Sequence, residues 1–155
     1  MPLLAYIWAG ILAKATAFVQ GLNPRLSETE MADPRPWPTE VRLSKDRRSL
    51  IVAFDDGVNF TLPAEYLRVE SPSAEVQGHN PAERKTVPGK RNVEIIEVLP
   101  VGHYAVRLVF DDMHSTGIYA WDYLHELGRE QETRFQKYLD ELAAKGFSRE
   151  PLKRP

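Results

Sequence analysis

A chain of 155 residues with a formal net charge of −2 has room for one domain with a sizeable core but not for a catalytic barrel appended to it. The near-neutral balance supplies no field that would draw a polyanion, which disfavours nucleic acid as a partner. Cysteine is absent, removing disulfides, thiolate nucleophiles and cysteine-held zinc or iron–sulfur clusters together, so any metal here must rest on nitrogen and oxygen ligands.

The first residues are apolar, Leu3–Ala13, until Lys14 interrupts the run and Ala15–Val19 resumes it. A membrane-spanning helix needs about 20 uninterrupted apolar residues, so no span is expected. A signal peptide opens on basic residues, which Met1 and Pro2 do not supply. Residues 1–30 therefore read as an apolar extension outside the folded domain. They are either the product of a start assigned upstream of Met31 or a marginal interfacial helix. Residues 31–38 carry Pro34, Pro36 and Pro38, which hold the backbone extended and make this stretch a linker.

A domain is expected over residues 39–128, followed by a C-terminal helix and tail over 129–155. Val41–Leu43 and Ser49–Phe54 read as strands, and Asp55–Gly57 supplies the aspartate-glycine chemistry that closes a hairpin into Val58–Leu62. Pro63–Leu67 suits a helical turn with proline at its start. Residues 71–90 form a long polar loop punctuated by proline and glycine, a natural place for function. Strands are expected again over Val93–Leu99, ended by Pro100–Gly102, then over Tyr104–Phe110 and Ser115–Tyr119. Trp121, Leu124 and Leu127 then take helical spacing, with Gly128 stopping or kinking the helix, and Phe135, Leu139 and Leu142 repeat it as far as the cap at Gly146. The fold class is α+β, a small antiparallel β-sheet domain with C-terminal helices packed on it.

Few residues invite chemistry. A Ser-His-Asp combination can be assembled from Ser71 or Ser73, His79 or His114, and Asp111 or Asp112, but no nucleophile elbow or oxyanion glycine cluster accompanies it, so no enzyme is expected. His114 beside Asp111 and Asp112 is the better candidate for a metal or proton site, because a turn presents the three side chains together and carboxylates raise imidazole basicity. The plain alternative is that the aspartates are turn formers. His103 in a turn and His125 on a helix read as structural and solvated, as do Glu126, Arg129 and Glu130. Core packing accounts for the aromatic run Tyr119, Trp121 and Tyr123.

Several segments in order carry a family likeness: Phe54–Gly57, Leu62–Arg68, Ser71–Glu75, Gln77–His79, Gly102–Val106 and Gly117–Trp121. From Trp37 to about Gly128 the chain resembles the small N-terminal domain of gamma-butyrobetaine hydroxylase and its relatives, here without the oxygenase that follows it there. The resemblance implies a structural zinc held by three cysteines and a histidine, whose positions fall on Ser71, Ser73, Val76 and His114. Three of the four are not zinc ligands at neutral pH, so the inherited site is degenerate and no cofactor is expected. His114, with His79, Asp111 and Asp112, could keep weak affinity for a divalent metal such as zinc or iron.

The family also occurs fused to P-loop carriers of iron–sulfur clusters. That context implies a non-enzymatic, cytoplasmic interaction or docking module whose partner is another protein, an iron–sulfur carrier or an oxygenase. The alternatives are a weak divalent-metal-binding protein and an accessory subunit of an iron/2-oxoglutarate oxygenase. An oxygenase site itself needs two histidines and a carboxylate on a jelly roll that this length cannot hold.

Overall fold

The computed structural model describes residues 35–152. The expectations about residues 1–30, and about the first part of the 31–38 linker, lie outside the described residues.

Two antiparallel three-stranded meanders build the domain. The first is β1 (Pro38–Leu43), β2 (Ser49–Phe54) and β3 (Asn59–Pro63). Leu50, Val52 and Phe54 alternate inward along β2 and are 0–3% exposed, as a strand with one wet face requires. The β2–β3 turn is made as its composition dictates: Gly57 takes φ 84°, and the Asp56 carboxylate accepts the Val58 N–H at 3.0 Å. Pro38 already belongs to β1, and the Trp37 N–H donates to the Asp55 carboxylate, so the extended segment is tied in before residue 39.

α1 (Ala64–Val69) follows with Pro63 at its N-cap. Residues 71–90 are not uniformly irregular: α2 (Ala74–Gln77) and a 3-10 turn at Pro81–Glu83 lie within them. The second meander is β4 (Ile95–Val101), β5 (Ala105–Phe110) and β6 (Ile118–Ala120). Pro100 does not end β4 but pairs with Val106 inside it. β4 is an edge strand, where a residue lacking an N–H is tolerated.

α3 (Trp121–Arg129) and α4 (Gln131–Lys145) complete the chain. Trp121, Leu124 and Leu127 are buried at the expected spacing. They share one core with Val41, Leu50 and Val52 of the first sheet and Val106, Leu108 and Phe110 of the second. The α+β assignment holds, with the strands divided between two sheets.

Gly128 lies one residue before the end of α3, and the helical run breaks at Glu130 before α4, so the expected stop or kink falls here. Gly128 is also where the helix touches the Phe60 ring, a contact a side chain would prevent. Gly146 is the cap expected of it, at φ 66° with its N–H donating to the Ala143 carbonyl.

Ser148 and Arg149, beyond α4, are tied to the domain. Ser148 and Arg149 carbonyls accept the Gly89 and Arg91 N–H groups, and Arg149 grips the Glu65 carboxylate through two nitrogens at 2.8 and 2.6 Å. His125 is not solvated either: it is wedged edge-on against Phe54 and Phe60 and reaches Asp56 at 2.7 Å.

Candidate functional site

The end of α1 and the segment leading to α2 are held by side chains reaching their carbonyls. Tyr119 Oη donates to Leu67 O at 2.5 Å, Tyr123 Oη to Glu70 O at 2.6 Å and Gln77 Nε2 to Ser71 O at 2.8 Å. Burial pushes both tyrosine hydroxyls up, Tyr123 to about 12, so they remain donors at any physiological pH.

Opposite lies the turn from β5 to β6. The Asp112 carboxylate accepts the His114 N–H, and the Phe110 N–H donates to His114 O. Met113 closes the turn at φ 72°, a left-handed conformation that costs a non-glycine residue about 1–2 kcal/mol. The turn directs the His114 imidazole inward, where the residue is 6% exposed.

There His114 meets the serines. Its Nε2 lies 2.8 Å from Ser71 Oγ and 3.4 Å from Ser73 Oγ, and its Nδ1 lies 3.2 Å from Glu75 Oε2. A carboxylate can only accept, which places the ring proton on Nδ1 and leaves Nε2 to accept the Ser71 hydroxyl. Burial holds the imidazole below its ordinary value; the Arg68 guanidinium adds to this, while Glu75 and Asp112 pull the other way. Arg68 Nε and Lys90 Nζ in turn clasp Asp112 at 2.8 and 2.5 Å. Burial works to raise the Asp112 carboxyl, but these cations and the His114 N–H outweigh it and leave it lowered.

The depressed imidazole fixes a pH dependence. An unfolded chain protonates His114 near pH 6.5 and the folded chain does so lower, so the stability from its neutral form is complete above about 6.5 and is lost as pH falls through the folded value. The urea midpoint should fall between pH 7.5 and pH 5, and the fall should shrink in His114→Gln. An equal slope in both proteins would rule the imidazole out as its source.

Ser71, Ser73 and His114 thus converge, with Val76 buried one helical turn on. The other expected ligands do not join them. His79 is exposed beyond Gly78, with only its backbone N–H engaged, by Glu83. Asp111 faces the Glu94 N–H, and Asp112 is taken by Arg68, Lys90 and the backbone. Among the described residues no three histidine, aspartate or glutamate side chains gather to hold a metal, so the weak site expected of His79, His114, Asp111 and Asp112 is not assembled. Nor do the inherited positions fit zinc: two hydroxyls and a valine replace thiolates, and the one good ligand atom, His114 Nε2, already accepts a hydrogen bond.

Ser71, His114 and Glu75 do line up as hydroxyl, imidazole and carboxylate. The hydroxyl is sealed, however: Ser71 is 0% exposed, and a Cβ on Gly117 would fall 2.5 Å from its Oγ, so no substrate carbonyl can reach it. Sequence reasoning assigned no role to Glu75 or Arg68. Glu75 lies four residues beyond Ser71, but nothing in that spacing points it at a histidine 39 residues away.

The sequence model of the family described as gamma-butyrobetaine hydroxylase-like, N-terminal, matches residues 41–125. No curated protein matches. Two proteins with NMR solution structures are similar at 43% and 44% identity; the matches cover 77% and 85% of this chain and 94% and 93% of those chains, each with a TM-score of 0.66. A crystallised protein of unknown function from Acidithiobacillus ferrooxidans, of the DUF971 family, is 43% identical over 63% of this chain and 98% of its own, with a TM-score of 0.52.

Proposed function

Because this chain belongs to the gamma-butyrobetaine hydroxylase-like N-terminal family, we propose that it is a non-enzymatic docking module that serves an iron–sulfur carrier or a metalloenzyme in the cytoplasm. One observation carries the reading. The polar cluster that could perform chemistry is sealed, while the turn directly outside it exposes Met113 to 85%. A flexible, polarizable side chain held out on a strained backbone suits insertion into a partner's apolar pocket. Among the described residues no helix is long and apolar enough to cross a membrane.

Calorimetric titration of the full chain with a cluster-loaded P-loop iron–sulfur carrier, and separately with an iron/2-oxoglutarate oxygenase, tests this. Binding in the micromolar range, about −8 kcal/mol, is expected with one of them. Met113→Gly should weaken it about tenfold or more while leaving the melting temperature unchanged or slightly raised, since glycine relieves the left-handed strain. Silence with both partners sinks the proposal.

A further inference from the structure

Among the described residues the outward face of the second sheet is partly uncovered: Ala105, at one end of it, is buried, while Glu97, Arg107 and Ile118 are exposed. The register aligns Glu97 with Val109, and Leu99 with Arg107 and Ile118, so these side chains share one face. Val106, Leu108 and Phe110 alternate to the other face and are 0–2% exposed. Among the described residues none of Leu99, Val101, Val109 and Ile118 belongs to or packs against either hydrophobic core, and Ile118 is 45% exposed. A solvated face of an antiparallel sheet is ordinarily polar. Here those four positions are apolar, and the side chains of the two charged ones, Glu97 and Arg107, make no hydrogen bond or ion pair among the described residues.

We propose that this face pairs with a second copy of the chain. Glu97 and Arg107 are diagonal neighbours on adjacent strands. A two-fold axis lying between two facing sheets, midway between these residues, sets each copy's Arg107 opposite its partner's Glu97. That forms two equivalent ion pairs while the apolar side chains around them meet. The charge pattern is thus self-complementary.

The patch is small. Strands about 4.8 Å apart with about 3.3 Å per residue give well under the roughly 800 Å² per partner of a standard interface. The dimer is accordingly weak and reversible, with Kd between about 10 μM and 1 mM.

Self-association is independent of any docking partner and is tested on the chain alone. Sedimentation velocity of the full chain from about 10 μM to about 1 mM should show a shift from monomer toward dimer. Arg107→Glu and Glu97→Arg should each weaken association at least about tenfold, and the doubly exchanged chain should recover to within about threefold of the natural one. Both positions are exposed, so near-ultraviolet circular dichroism should be unchanged in all three variants. A natural chain that stays monomeric overturns the proposal. So does association that the single variants leave intact, which would place it on another surface, and so does failure of the double exchange to restore it.

Discussion

Replacing Ser71, Ser73 and Val76 together by cysteine should turn a protein indifferent to chelators into one that needs zinc. In the natural chain Ser71 and His114 are already in contact through a hydrogen bond of 2.8 Å, and Ser73 Oγ stands 3.4 Å from the same Nε2. A tetrahedral zinc with bonds of about 2.3 Å to sulfur and about 2.0 Å to nitrogen spaces those atoms roughly 3.5 Å apart. The required rearrangement is therefore under an ångström at one position and negligible at the other. The backbone is anchored independently of these side chains by Tyr119, Tyr123 and Gln77, so the site is preformed. Purified natural protein should carry less than about a tenth of an equivalent of zinc, and a chelator should leave its melting temperature unmoved. The triple variant should bind one equivalent tightly and melt far lower after chelation, because metal affinity in such sites, about 10–16 kcal/mol, adds to folding stability. Stoichiometric zinc in the natural chain would sink the account of a hydrogen-bonded replacement. Failure of the triple variant to bind would show that Val76 does not occupy the remaining ligand position.

Where local chemistry decides the conformation, the sequence was readable. Asp56 and Gly57 make their hairpin turn because one side chain accepts the Val58 N–H and the other residue tolerates φ 84°. Trp121, Leu124 and Leu127 mark the buried stripe of α3 because only a 3.6-residue period puts them on one face. The convergence of Ser71, Ser73 and His114 was visible only through the family resemblance, since 43 residues separate Ser71 from His114. The rest depends on partners far apart in the chain. The strands split into two sheets because the second meander never pairs with the first, and no strand's own pattern records which neighbours it takes. Asp111 and Asp112 looked available for a metal because nothing local shows that Glu94, Arg68 and Lys90 reach them. Gly128 could be read as the stop or kink it adjoins, but not as the place where the Phe60 ring needs room, because that ring lies in a strand 68 residues earlier.

That contact gives the second large effect: Gly128→Ala should destabilise the domain by about 3 kcal/mol even though alanine is the better helix former. In an exposed helix interior the exchange would gain about 1 kcal/mol. Here a Cβ on residue 128 would lie 2.3 Å from Cγ and Cδ2 of Phe60 and 2.6 Å from Cδ1, well inside van der Waals contact. The ring cannot simply turn aside, because it packs edge-on against Phe54 at 6.1 Å and His125 at 5.5 Å, and His125 is itself held by Asp56. Relief must come from moving α3 off β3 or from expelling the ring. Overpacking of this kind costs about 1–3 kcal/mol and occasionally more; an approach of 2.3 Å puts the strain at about 4 kcal/mol, which the helical gain of about 1 kcal/mol reduces to about 3. For a domain of this size the melting temperature should fall by roughly 10 °C. Phe60→Leu removes the obstructing ring atoms, so the cost of Gly128→Ala measured in that background should shrink to about 1 kcal/mol or less, giving a coupling of about 2 kcal/mol between the two sites. If Gly128→Ala instead raises stability, or costs the same with leucine at position 60, the close approach of α3 to Phe60 is not what selects glycine there.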